Sequence, residues 1–494
     1  MTTMPSITLA QLLAVEDVPD ILDFRCAETG ILLWPHVRTV FMRMAMSDLL
    51  YGTPLDGSVS KGVPPSRAIA TFGRSVVRNA LLGVTGQSRA DVCMLSTGIG
   101  NQLVDGKLLN RLSDHFALAY PRQTITVEDH FHWHWPGPRH NRRMLMHAPL
   151  QARNALEARL RVRDRHVQQA ARLIELVSAR GARLLGWSPG AQREQVLISM
   201  LARKIAGMPQ QLRSYEAMLN RIQPKVLLLI GACYGPSATL IRAARDQGVV
   251  TVEYQHGTIA PGHDGYNFGA ALQTSADYRA SLPEHFLSYG TWWNDRINAP
   301  VRMTEVGNPH RDFRLARMGT TDKAKNTILI LADGTEFGIY VDLSRQLARQ
   351  TGRDGLRVVI RPHPLERVVV AAQYGRCIDG TIHIDQNDDL YTSVLSAHVV
   401  VSELSTGLFE AAGIADKLFM WDTPKARFCF PVLPFESFRS AQELVGLLEN
   451  EAVGRLPANQ RDGMWASGWL DNYAQFLNTC GVPGSMPSAE DVHV

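Results

Sequence analysis

Two histidines stand where chains place groups that move protons. His256 follows the apolar run Val249-Val250-Thr251-Val252-Glu253 and precedes Gly257, and His363 lies between Pro362 and Pro364, just after Val358-Val359-Ile360. A histidine at the end of a buried strand is presented at the working edge of a sheet, beside exposed backbone N–H groups. Its ordinary pKa suits proton transfer near neutrality. The two prolines fix the backbone around His363, and neighbouring Arg361 adds a cation suited to phosphate oxygens. For either histidine the alternative is a structural imidazole in a loop.

A third element lies at 402–410. Ser402, Glu403, Ser405, Thr406 and Gly407 form a small polar turn between the apolar run 399–401 and an expected helix at 408–413. Hydroxyls and unpaired N–H groups at a helix start bind phosphate, and Glu410, one turn further on, is spaced to reach ribose hydroxyls. Serine and threonine also simply cap helices. The turn gains meaning because it follows a strand in the same half of the chain as His363. In the other half, Gln255, Gly257, His263 and Tyr266 surround His256 in sequence, and Tyr234 follows the strand at 224–230. Asp105, after the Gly98-Ile99-Gly100 turn, is an acidic alternative to His256 as a base and equally an ordinary loop carboxylate.

Metal chemistry has little sequence support. His130, His132 and His134 would share one face if their strand continued, an arrangement open to a metal. Pro136, Gly137 and Pro138 follow at once, however, and no second ligand cluster accompanies them. The expectation is a polar, aromatic loop at a cleft rim touching an acceptor, or plain packing. Asp388-Asp389 precedes a helical pattern and reads first as its cap. No metal and no resident cofactor are expected.

These side chains need sheets to hold them. The runs 91–96, 123–127, 224–230 and 249–253 alternate with helical patterns, among them 103–112. That order implies βαβ units and a parallel sheet with right-handed crossovers. A second unit starts afresh with runs at 327–332, 356–360, 383–384, 399–401 and 417–421. Ligands of such sheets bind outside the carboxyl ends of the strands. The expected fold is α/β: two Rossmann-like domains facing across a cleft, with a helical N-terminal region and a basic helical insertion. The expected boundaries are a helical N-terminal region at 1–85, an acceptor domain at 86–310 with an insertion at about 139–220, a donor domain at 311–447 and a helical tail at 448–494. Within 31–46, the face of Trp34, Phe41 and Met44 reads as packed core, with membrane contact as the alternative.

The totals agree with this division. A chain of 494 residues is too long for one ordinary core. With 45% hydrophobic and 20% charged residues it is globular and not disordered. A net charge of +4 is too small to argue for nucleic acid. The positive charge is uneven: Arg142, Arg143, Arg153, Arg159, Arg161, Arg163, Arg165, Arg172 and Arg180 face only Glu157, Asp164 and Glu175. Such a run is a solvated helix face or an attraction to anionic lipid or a polyanionic acceptor. Six cysteines without a CxxC pair suggest reduced thiols. No secretory signal and no spanning apolar run are read, so the expected place is the cytoplasm, with peripheral attachment at an inner membrane left open.

Taken together, Glu253-x-Gln255-His256-Gly257-Thr258-Ile259 with His263 and Tyr266, Gly307-Asn308-Pro309, Arg361-Pro362-His363-Pro364 and the segment 402–413 resemble bacterial surface-polysaccharide glycosyltransferases of the GT-B type. The nearest in pattern are capsule Kdo- and sialyltransferases and CDP-glycerol glycerophosphotransferases. The resemblance covers about 220–425 and leaves 1–220 unmatched. It implies inverting, metal-independent transfer from a nucleotide-sugar to a polysaccharide or glycolipid acceptor. It implies His256 as base or positioner of the acceptor hydroxyl and His363, with Ser405 and Thr406, against the leaving phosphate. Glu410 would hold the donor ribose and Glu403 would face the donor or the base. A sugar-nucleotide epimerase of the same shape, or a non-catalytic polysaccharide-binding protein, are the alternatives.

Overall fold

The computed structural model describes residues 7–51, 65–84, 88–131, 133, 137–319, 326–334, 337–351, 356–364, 366–367, 370, 382–457, 461 and 463–483. Among these residues nine strands fall in the first half: β1 Val92–Thr97, β2 Asn101–Val104, β3 Lys107–Asn110, β4 Thr124–Asp129, β5 Met144–Met146, β6 Val226–Leu229, β7 Val250–Tyr254, β8 His285–Ser288 and β9 Arg302–Glu305. Six follow: β10 Thr327–Leu331, β11 Arg357–Arg361, β12 Ile382–Ile384, β13 Ala397–Ser402, β14 Lys417–Trp421 and β15 Glu436–Phe438.

The first sheet has seven strands in the order β5-β4-β1-β6-β7-β8-β9, and the second has six in the order β12-β11-β10-β13-β14-β15. Every pairing in both is parallel. Each sheet therefore grows outward in both directions from its first strand, the doubly wound order, and its switch point lies between β1 and β6 or between β10 and β13. Buried Ile, Leu and Val make the strands near-continuous apolar runs, as a sheet covered on both faces requires. The fold is α/β with two Rossmann-like domains, as expected.

Two local expectations are corrected. Residues 103–112 are no helix: β2 and β3 form an antiparallel hairpin. The two-residue turn is Asp105 (φ 48°) and Gly106 (φ 76°), the Asp-Gly pair that favours a tight hairpin. The insertion begins later than 139, because β5 adds an edge strand before helices Ala148–Arg161, Asp164–Leu185 and Ala191–Ile222. As expected, the Trp34 and Phe41 side chains are fully buried, so this face is packed core. Trp34 Nε1 and Arg38 both donate to Glu16 at 2.6 Å, and Arg38 reaches the carbonyls of Asp264 and Asn267 in the first domain. The terminal helix Trp469–Thr479 returns to the first domain, where Tyr473 and Phe476 meet Phe116, Tyr120 and His285.

The domains touch at the carboxyl ends of their strands. Thr258 N–H donates to Thr406 Oγ1 at 2.8 Å, and Gly262 N–H donates to Cys429 O at 2.9 Å. A Cβ at Gly262 would lie 2.1 Å from Phe428 O, so only glycine permits this approach.

Candidate functional site

Where the carboxyl ends of the two sheets face each other, at the switch point of the second, lies a cavity of about 460 Å³. From the second domain it is lined by Leu331–Asp333, the 361–364 turn, 388–391, 404–407, Glu410 and Lys425. From the first come Gln102, Arg111, Thr258, His263, Asp264 and His310, and from the N-terminal region Arg43 and Met46.

His363 lines this cavity, seated by its surroundings. Its backbone N–H donates to Glu366 Oε2 at 3.0 Å. Gly334 (φ +90°) passes beneath the ring, and a Cβ there would sit 3.0 Å from Nδ1. Burial pushes the His363 pKa down to about 4, Asp333 opposing and Arg111 assisting. Burial raises Glu366 to about 7.

The polar turn is built differently from the expectation. Ser402 is buried, donates to Leu331 O at 2.9 Å and accepts from Ser405 N–H at 3.1 Å. It ties β13 to β10 and does not line the cavity. Helix Thr406–Glu410 has only five residues, and the Ser405 hydroxyl already accepts from Gly407 N–H at 3.2 Å. So short a helix supports no macrodipole argument for phosphate. Ser405 caps, Thr406 joins the domains, and both line the cavity with Gly407. Glu410 lines it as well, its carboxyl pKa raised by burial and lowered in part by Arg111 and Arg311.

Glu403 does not face the cavity. Its carboxylate pairs with Lys425 at 2.6 Å and accepts from the Thr423 hydroxyl, at 1% exposure. Lys425 also pairs with Asp333 at 2.6 Å. Glu403 is thus a buried counter-charge that fixes a cavity lysine. Arg361 lines the cavity, yet pairs with Asp385 and donates to the Asn387 and Asp388 carbonyls at 2.8 and 3.0 Å. It braces the 385–389 loop, so its phosphate role is not what its geometry favours. Asp389 caps helix Leu390–Leu395 through Thr392 N–H at 2.9 Å, as expected for this pair.

On the first domain's side, His256 is not among the residues that line the cavity, and 23% of its side chain is exposed. Nδ1 lies 3.4 Å from the Tyr266 hydroxyl and 4.0 Å from Glu253 Oε1. Burial pushes its pKa down to about 3, helped by the charges of His263, Arg111 and Arg43. Tyr266 donates to Glu253 at 2.7 Å, and Glu253 also accepts from Cys233 N–H at 2.7 Å. Gln255 is buried, accepting from Tyr289 N–H at 2.8 Å and donating to Gly257 O at 2.9 Å; it shapes the histidine loop. A Cβ at Gly257 would lie 3.4 Å from Thr406 Oγ1, an ordinary contact distance, so the loop meets the second domain without requiring glycine there. His263 does line the cavity, stacked on Tyr234 with centroids 5.6 Å apart, and burial takes its pKa to about 4.

Asp105 takes the second of its two readings, an ordinary loop carboxylate. It occupies the hairpin turn, its side chain 59% exposed and paired with Arg317 at 2.8 Å, away from the cavity lining. His130 bonds Ser75 Oγ at 2.8 Å, while His132 and His134 lie outside the described residues. Among the described residues, no group of three or more His, Cys, Asp or Glu is placed to hold a metal ion.

Sequence reasoning missed two arginines and a lysine. Arg111 follows β3 and reaches the cavity, where its charge acts on His256, His310, His363, Tyr391 and Glu410. Among the described residues its side chain has no ion pair and no hydrogen bond. Arg43, from the N-terminal region, lies 5.0 Å over Tyr234 and 3.5 Å from Asp264. Neither stands in a recognisable motif. Lys425 at least follows a strand-end Asp422-Thr423-Pro424, a βα turn like the others.

No protein-family model matches the chain, and neither does any curated protein. Among solved structures it is similar to UDP-N-acetylglucosamine 2-epimerase from Rickettsia bellii, with 9% identity over 80% of this chain and 96% of that one, at a TM-score of 0.41. A variant of the wall teichoic acid polymerase TagF is 10% identical over 86% and 94% of the two chains, TM-score 0.39. An α,α-trehalose-phosphate synthase from Burkholderia xenovorans is 12% identical over 79% and 100%, TM-score 0.40. Superpositions this loose leave the architecture to rest on the strand orders and the cleft themselves.

Proposed function

We propose that the protein is a glycosyltransferase that takes a sugar from a nucleotide-activated donor to a surface polysaccharide or glycolipid acceptor, with inversion and without a resident metal. The observation that carries this reading is the composition of the cleft: a half-buried Arg111 with no protein partner among the described residues, opposite His363 and the buried carboxyl of Glu410. A nucleoside phosphate matches that pattern, its ribose toward Glu410 and its phosphates toward Arg111 and His363.

With pKa values of about 3 and 4, His256 and His363 are neutral at pH 7 before the donor binds. A neutral imidazole can accept the acceptor's proton or donate an N–H to a phosphate oxygen. An arriving phosphate then raises the pKa of the nearer histidine and strengthens that hydrogen bond as charge develops on the leaving group. In this reading His256, held near Tyr266 and Glu253, positions or deprotonates the acceptor hydroxyl, and Tyr234 and His263 bound the acceptor side. The basic stretch at 139–183 is proposed to favour a polyanionic or membrane-bound acceptor.

The test is a panel of CMP-, CDP-, UDP- and GDP-sugars scored by thermal shift, then by transfer to lipid or oligosaccharide acceptors. Stabilisation by one nucleotide class and acceptor-dependent release of nucleotide are expected. Interconversion of the free nucleotide-sugar without acceptor would overturn transfer in favour of an epimerase. No stabilisation by any nucleotide would overturn the donor site.

A further inference from the structure

Helix Pro65–Val84 turns an apolar side to solvent. Ile69 is 72% exposed, Val77 and Leu81 are each 59% and Val76 is 45%. Ala70, Gly73 and Ala80 are exposed between them, so the helix shows an apolar stripe along its length. At 100° per residue Arg67 and Arg74 fall together along one border of that stripe, beside Arg78, which donates to the carbonyls of Met144 and Arg142. The helix contains no Asp or Glu. A water-facing helix face ordinarily carries the polar residues; here the polar residues Thr71 and Ser75 are the buried ones.

From this inverted pattern we infer that helix 65–84 is the element that docks the protein on an anionic membrane surface. A broad apolar face with a row of arginines at its edge matches the two layers of a lipid interface: acyl chains under the apolar side chains, anionic headgroups at the guanidinium level. No helix among the described residues is long and apolar enough to cross a membrane, so the contact is interfacial. The neighbouring helix Ala148–Arg161 adds exposed Leu156 and Leu160 at 60% and 64%, with exposed Arg153, Arg159 and Arg161. Charge complementarity thus favours lipid over a second copy of the chain, because two such faces would oppose arginines to arginines.

The position of the helix gives the docking a consequence. Its buried side is tied to the loop after β4: Ser75 Oγ lies 2.8 Å from His130 Nε2, and Thr71 Oγ1 donates to Trp133 O at 2.9 Å. That loop lies at the carboxyl ends of β1 and β4, where a Cβ on Gly98 would come within 3.0 Å of Phe131 N. The membrane face therefore adjoins the edge of the sheet that opens into the cleft. A lipid-linked acceptor would enter beside it; this last step rests on the transferase reading, whereas the docking itself does not.

The experiment is flotation of the full chain with vesicles of phosphatidylcholine alone and of phosphatidylcholine with phosphatidylglycerol in equal parts. Wild type is expected to float with the anionic vesicles and much less with the neutral ones. The triple variant Ile69→Gln, Val77→Gln, Leu81→Gln is expected to lose at least roughly tenfold in vesicle affinity. Its thermal shift with nucleotide should be unchanged, which shows it folded. Arg67→Gln with Arg74→Gln should narrow the difference between the two vesicle types. Wild type that stays off anionic vesicles, or a triple variant that floats like wild type, overturns the inference. Concentration-dependent dimerisation abolished by the same triple variant overturns it in favour of a second copy. Failure of nucleotide binding with vesicle binding intact would instead remove the transferase reading.

Discussion

The two walls of the cleft are charged in opposite styles. In the second domain the cavity cations are neutralised within the domain, Arg361 by Asp385 and Lys425 by Asp333 and Glu403. On the facing wall Arg111 of the first domain has no such partner among the described residues, and Arg43 of the N-terminal region holds Asp264 only at 3.5 Å. A paired wall keeps its shape without ligand, because each buried charge is satisfied where it stands. An unpaired arginine is stabilised by what arrives. The comparison assigns shape to the second domain and charge demand to the first, and an anionic donor would draw the walls together across Thr258 and Thr406.

The comparison breaks most visibly at Lys425. Lys425→Met leaves Asp333 and Glu403 buried without their cation and is expected to cost about 3–5 kcal/mol of stability, read by urea unfolding. If stability hardly changes, the second wall is not held by this pair. Next in size, His363→Gln and His256→Gln should each lower the transfer rate at least about a hundredfold with melting temperatures near wild type. Full activity in either would remove that histidine from the mechanism.

Arg111→Gln tests the other wall. Nucleotide-sugar affinity should fall about tenfold or more, the loss of a charge-assisted hydrogen bond, with stability unchanged, by calorimetry. Lowered stability with unaltered affinity would show Arg111 to be structural. The pH response is smaller. Binding of an anionic donor raises His363 from about 4, so the complex holds more protons than the parts and affinity tightens as pH falls. A severalfold change between about pH 8 and 6, absent in His363→Gln, is expected. Smallest of all, Asp105→Asn should leave transfer within about twofold, since surface changes of this kind stay near ±0.5 kcal/mol.

Much of the frame was legible because strands buried on both faces leave continuous apolar runs. β6, β7, β10, β11, β13 and β14 stand at or within a residue or two of those runs. The residues following these strands were legible for the same reason, which is why His363, Thr406, Glu410 and His263 meet in one cavity. What misled was local counting. Leucines at 103, 108, 109 and 112 imitate a helical period, while the Asp105-Gly106 turn decides the matter in favour of a hairpin. Ser402, Glu403 and Gln255 looked like site groups because they adjoin strand ends, yet their side chains are taken up by Leu331, Lys425 and Tyr289.

By itself the sequence determined the α/β class, the two units and the strand ends at which chemistry would gather. Those follow from hydrophobic periodicity and turn residues, which act over neighbouring positions. Only the tertiary structure decided which charges are neutralised and which face the cavity. Lys425 meets Glu403 and Asp333, and Arg111 meets neither, through contacts between residues far apart in the chain. The same holds for helix 65–84, since its sequence cannot say which side the rest of the protein covers.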